Sequence, residues 1–167
     1  SLEATTSQEG VMKSVLIISA VLAIVSVPFG MAQAHCEVPC GIYADELRIE
    51  LMAEHITTID KSMQMIRELS KAKTKNNNQI VRWVFNKEDH AKKLQHIVTG
   101  YFMHQRIKPV EDVRSNAYKV YVRQLTLAHQ MLVSAMKTKQ TTDLTHVSKL
   151  RKLLKEFRAA YLGPVEK

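Results

Sequence analysis

From residue 45 onward, apolar residues recur every three or four positions, the period of a helix with one buried face. Leu47, Leu51, Met52, Ile56, Ile59, Met63, Ile66 and Leu69 form one such stripe. It predicts a first helix from about Asp45, a plausible N-cap, to Ala72. The polar run KTKNNNQ breaks it. A second stripe runs from about Asn78 to Arg106 through Ile80, Val81, Val84, Phe85, Leu94, Ile97, Val98, Tyr101 and Phe102. Gly100 weakens that segment locally and Pro109 ends it. A third covers about Val110 to Lys139, with Val113, Ala117, Val120, Leu125, Ala128, Leu132 and Ala135. After KQTTD, where Thr142 or Asp143 can cap, a fourth carries Leu144, Val147, Leu150, Leu154, Phe157 and Tyr161 and stops at Gly163-Pro164. Between Gly41 and Gly163 the only glycine is Gly100, so the turns that strands would need are missing. Four amphipathic helices with short connections predict an all-α, antiparallel four-helix bundle over residues 44–167.

Ahead of the bundle the pattern changes. Lys13 is followed by an uncharged apolar run, Val15 to Val27, then by Pro28-Phe29-Gly30 and the small-x-small triplet Ala32-Gln33-Ala34. This is the layout of a secretory signal peptide over residues 12–34, cleaved after Ala34. The alternative, a retained membrane anchor, needs an apolar run of roughly 20 residues, and this run is shorter. Residues 1–11 precede Met12 and read as an upstream segment outside the fold. Cleavage leaves 133 of the 167 residues, beginning at His35, and makes export to a periplasmic or extracellular space the expectation. The membrane is then met only through the signal peptide before cleavage.

Charge narrows the partners. Residues 1–34 carry one Lys and two Glu, so their removal takes the formal charge from +8 to +9. Such a field can attract nucleic acid, anionic membrane or small anions. Export and the absence of an arginine-rich run or an aromatic-interleaved basic patch argue against nucleic acid. Basic residues scattered along helical faces make a solvated surface that also favours a small anionic substrate.

The chemistry is concentrated between the cleavage point and the first helix, in HCEVPCGIY, residues 35–43, which hold both cysteines of the chain. A Cys36–Cys40 disulfide would close a loop too small to restrain the unfolded chain much. Two thiolates at this spacing can instead turn back on one ion, because Pro39-Cys40-Gly41 is turn chemistry. If His35 is the mature N-terminus, it offers a free α-amine and an imidazole, and Cys36 adds a thiolate and the adjacent amide nitrogen. Amine, amide and the Cys36 and Cys40 thiolates make a planar N2S2 set with the imidazole as an axial donor. That set suits nickel(II) or copper(II), whereas zinc prefers a tetrahedron.

HCEVPCGIY resembles the N-terminal nickel hook of nickel-containing superoxide dismutases, His-Cys-x-x-Pro-Cys-Gly-x-Tyr. Leu47-Arg48-Ile49-Glu50 is similar to the Ala-Arg-Ile-Glu that opens the family's first helix, with a one-residue gap, and residues 100–102, GYF, match loosely. The resemblance implies a four-helix bundle carrying the hook, a nickel ion as cofactor, and dismutation of superoxide to dioxygen and hydrogen peroxide. It implies His35, Cys36 and Cys40 as metal ligands, Tyr43 over the open face, and Glu50 as the carboxylate that orients the axial imidazole. It also implies a homohexamer. The family's arginine beyond that glutamate has no clean counterpart; a loose alignment offers His90, with Arg82 upstream.

His55, His90, His96, His104, His129 and His146 show no i, i+4 pairing and read as surface or capping residues. Met63, Met65, Met103, Met131 and Met136, at helical spacing, read as core filler. Two rivals to the dismutase remain: an exported, non-catalytic copper- or nickel-binding bundle using the same hook, and a helical interaction protein with a trivial disulfide.

Overall fold

A computed structural model describes residues 45–163; the chain divides into two units, Ser1–Ala34 and His35–Lys167, and the described residues all lie in the second. Helix α1 spans Asp45–Lys71 and α2 spans Asn77–His96. A π-helical stretch, Ile97–Arg106, continues α2 without a break. Helix α3 spans Asn116–Gln140 and α4 spans Thr145–Leu162. Among the described residues there is no strand, and no helix is long and apolar enough to cross a membrane.

The start and stop signals act where side chains can satisfy the orphan amides of a helix end. Asn76 accepts from Gln79 N at 3.1 Å and Ser115 accepts from Tyr118 N at 3.1 Å. Asp143 accepts from Thr145 N at 2.9 Å, so of the two expected caps it is the acid that serves. Gly163, at φ +88°, ends α4 in a conformation that favours glycine. Helix α3 begins at Asn116, several residues later than expected, because Asp112 organises a turn ahead of it. Its backbone carbonyl accepts from the Ser115 hydroxyl at 2.7 Å, and its carboxylate accepts from Arg114 N at 3.0 Å.

On α1 the buried stripe is Ile49, Met52, Ile56, Ile59, Met63 and Ile66. These positions alternate by three and four, the seam that lets neighbouring helices pack side by side. Leu47, expected in this stripe, is exposed. The stripe meets Ala91, Leu94, Val98 and Phe102 from the second segment, Leu127, Ala128, Met131 and Ala135 from α3, and Val147, Leu150, Leu154 and Phe157 from α4. Cross-links between chain-distant residues give the directions. The start of α1 touches the ends of both the π-helix and α4, through Asp45–Arg106 and Asp45–Tyr161. The first half of the continuous segment from Asn77 to Arg106 touches the end of α3 through Lys87, and the start of α3 touches the end of α4 through Gln124 and Ala160. Neighbours therefore run antiparallel.

The first half of α2 departs from the expected pattern. Val81, Val84 and Phe85 face outward, Phe85 at 71 % exposure. The inward face there carries Asn86 and Lys87 instead. Asn86 donates to Ser62 Oγ at 2.9 Å. Lys87 is buried and donates to the Lys139 carbonyl at 2.7 Å, at the open end of α3. A cation suits the carbonyl end of a helix, which is why a polar residue displaces the apolar stripe at this level. Burial lowers the Lys87 ammonium from its ordinary value, against the opposing pull of Glu88.

Candidate metal centre and its support

A connected polar cluster stands at the start of α1, which follows residues 35–43 in the chain. Asp45, the first residue of α1, accepts three hydrogen bonds on its carboxylate. Tyr101 OH donates at 2.6 Å, Arg106 at 2.8 Å and Tyr161 OH at 2.8 Å. The expected N-cap thus spends its side chain sideways, on the π-helix and α4. Burial alone would raise the Asp45 carboxyl, but the donors Arg106, Tyr101 and Tyr161 outweigh it and hold it below the usual range. The same contacts act in the opposite sense on their partners. Burial and then Asp45 push the Tyr161 phenol up to about 12, burial and then Asp45 raise that of Tyr101, and Asp45 raises the Arg106 guanidinium. At neutral pH the cluster is one carboxylate, one guanidinium and two neutral phenols.

Tyr101 is held on two further sides. The Arg48 guanidinium lies 5.0 Å from its ring centre and that of Arg106 lies 6.0 Å away. Both distances are within cation–π range. Behind it Phe102, Phe157 and Tyr161 form an edge-and-face stack with centroids 5.0 to 5.7 Å apart. Such stacks lock ring orientation. The π-helical winding is what brings Tyr101 and Arg106, five residues apart, to one side. The Ile107 amide closes that winding on the Phe102 carbonyl at 2.8 Å, also five residues back.

His35, Cys36, Cys40 and Tyr43 lie outside the described residues, as do the proposed signal peptide and residues 1–11. Glu50 sits on an exposed face of α1 and lines a groove of about 330 Å³ with Arg151, Lys155 and Arg158 of α4. Neither residue offered as the next member of a relay meets it. Arg82 lies exposed along a different groove with Thr57, Lys61 and Trp83. His90 pairs with His55, Nδ1 to Nδ1 at 3.1 Å. The expectation that these two histidines are plain surface or capping groups is corrected here, because spacing along one helix cannot show a pair that joins two. Sequence reasoning also missed Tyr101, Arg106 and Tyr161 as partners of Asp45. Each lies more than 50 residues away, and only the loose match at residues 100–102 touched one of them.

Among the described residues, no group of three or more His, Cys, Asp or Glu side chains could hold a metal. The side chains of residues 35–40 are different in kind: two thiols and an imidazole, joined by an amine if His35 is the mature N-terminus. Thiolate and nitrogen donors fit nickel(II) in tetragonal geometry. A family model described as nickel-containing superoxide dismutase matches residues 30–164. Neither the curated proteins nor the solved structures give a match.

Proposed function

The chain belongs to the nickel-containing superoxide dismutase family, and from that premise we propose that residues 35–43 are its nickel hook, completed by cleavage after Ala34. The protein is a nickel-dependent superoxide dismutase. It converts two superoxide ions and two protons to dioxygen and hydrogen peroxide.

In this reading His35 gives the ion its amine and imidazole, Cys36 its thiolate and amide nitrogen, and Cys40 the second thiolate. Bound nickel supplies the one-electron couple between its 2+ and 3+ states, brought into reach by anionic sulfur and nitrogen donors. Tyr43 stands at the open face and orders superoxide or water. Glu50 takes the imidazole N–H of His35 and fixes the ring, the usual part of a carboxylate behind a metal-bound histidine. The net positive charge of the chain draws in an anionic substrate. The two protons have no acidic phenol to draw on at Tyr101 or Tyr161, whose O–H groups are raised and engaged with Asp45. They come from water or Tyr43 at the open face.

We place the mature protein outside the cytoplasm, on the layout of residues 12–34. The outward row Val81, Val84 and Phe85 on α2 supports assembly into a homo-oligomer, a hexamer by family resemblance. One observation carries the hook assignment. The string HCEVPCGIY lies inside the matched span and directly behind Ala32-Gln33-Ala34.

The test compares a chain starting at His35 with the same chain bearing one glycine ahead of His35, each with reduced thiols and with or without nickel. Superoxide decay is expected to accelerate only for the His35-initiated chain with nickel. Equal activity from the extended chain overturns the hook as described.

A further inference from the structure

His55 of α1 and His90 of α2 meet through their Nδ1 atoms at 3.1 Å, with ring centres 5.0 Å apart and planes at 74°. One ring donates its Nδ1–H and the other accepts. Both rings are half-buried, so the pair keeps a path to solvent. Three charged groups act on it: Glu54 of α1, with Asp89 and Lys93 of α2. Lys93 is already tied to Asp89 at 2.6 Å, which leaves the Glu54 carboxylate as the uncompensated charge of this set.

The separation of the two nitrogens is the informative quantity. An imidazole nitrogen binds a zinc-like ion at about 2.0–2.1 Å, so two such nitrogens lie about 2.9 Å apart at a right angle and about 3.4 Å apart at the tetrahedral angle. The observed 3.1 Å falls between them. An ion can therefore be taken up beside the line of the shared proton once each ring turns to aim its Nδ1 lone pair at it, with little movement of either helix. Each ring then carries its proton on Nε2, so the exchange needs a small ring rotation and a change of tautomer but no redox partner.

We propose that His55 and His90 form a second, two-imidazole site, apart from the hook, that takes one divalent transition-metal ion and bridges α1 to α2. Imidazole donors suit zinc, copper and nickel alike, and water completes the coordination. Burial, with Lys93, holds both imidazoles below their ordinary value, and each His55 charge is further opposed by His90. The free-base forms that bind a metal therefore prevail at neutral pH. The site stands whether or not the hook assignment holds, since it uses no residue of the hook.

Zinc(II) is the probe, added to the nickel-loaded mature protein so that the hook is filled. Calorimetry is expected to show one zinc equivalent bound by the wild type and by His129→Gln, an exposed histidine elsewhere. Loss of a mere hydrogen-bond partner of a metal ligand weakens metal binding roughly 10–100-fold, so His55→Gln and His90→Gln should each weaken zinc by at least about tenfold. Unchanged affinity in both variants overturns the site. Should either variant lose its helical circular dichroism, imidazole 15N spectra of the wild type decide instead. Zinc-dependent shifts of Nδ1 in both His55 and His90 support the site, and unmoved Nδ1 signals overturn it.

Discussion

Asp45 and Lys87 each bring a charge into contact with segments far away in the chain, and they choose opposite kinds of partner. Asp45 gathers side chains: two phenols and a guanidinium, from the π-helix and α4. Lys87 gathers backbone: the Lys139 carbonyl, and more distantly that of Thr141, at the end of α3. A carbonyl is present whatever residue stands there, so the Lys87 junction needs only a helix end in the right place. The Asp45 junction needs particular residues at four positions and an unusual winding to align two of them. The difference marks the Asp45 end of the bundle, next in the chain to the proposed hook, as the specialised one and the Lys87 level as scaffold.

The sharpest way to break this contrast is Asp45→Asn. It leaves Arg106 without its anion, which costs roughly 3–5 kcal/mol for a fully buried pair and about 2–3 kcal/mol here, since Arg106 is partly exposed. Urea unfolding followed by circular dichroism reads that loss. If residues 35–43 are the hook, as proposed, Asp45 anchors the helix end next to it in the chain, and dismutase activity per bound nickel should also fall about tenfold, as when a metal ligand loses its support. Lys87→Met should unfold about 1–2 kcal/mol more easily, since the Lys139 carbonyl loses its donor. Its activity per nickel should match the wild type; a drop as large as that of Asp45→Asn would erase the distinction between the two levels.

Acidity offers a gentler probe. The folded Asp45 carboxyl sits below its ordinary value, so its contribution is complete above that value and is lost as pH falls through the lower, folded one. The stability gap between wild type and Asp45→Asn should therefore close as the pH drops below about 4. Smallest of all is the coupling of the two sites. Asp45 and the Lys87-level residue Ser62 stand 17 residues apart on α1, or about 25 Å. The double variant should lose the sum of the single losses to within about 0.5 kcal/mol by the same urea measurement.

What the chain reveals when read alone follows from how far apart cooperating residues lie. The donors proposed for the metal are packed into residues 35–40, so their spacing, with His35 read as the mature N-terminus, suggests a shared ion and a preference for nickel or copper. The bundle is legible for a similar reason. A buried stripe such as Met52, Ile56, Ile59 and Met63 repeats within one helix and needs no knowledge of its neighbour. Asp45 could be seen only as a cap, because its partners arrive from positions 101, 106 and 161. Val84 and Phe85 continue the apolar period of α2 yet point outward, since the inward position is taken by Lys87, whose reason for being there is the end of another helix. Local periodicity cannot register a requirement set by a carbonyl on another helix. The His55–His90 contact escaped for the same cause, as did its consequence that His90 is engaged away from Glu50.

The π-helical stretch has one more implication. In an ordinary helix, residues five apart point about 140° away from each other; between Ile97 and Arg106 they come to one side, which lets Tyr101 and Arg106 reach the same carboxylate. Such winding spends more residues for the same advance, so the segment is a reserve of length inside a continuous rod. A single-residue deletion between Val98 and Gly100 could be absorbed there, tightening the coil while α2 and α3 keep their places. The rod would survive the loss, but Asp45 could no longer hold Tyr101 and Arg106 together.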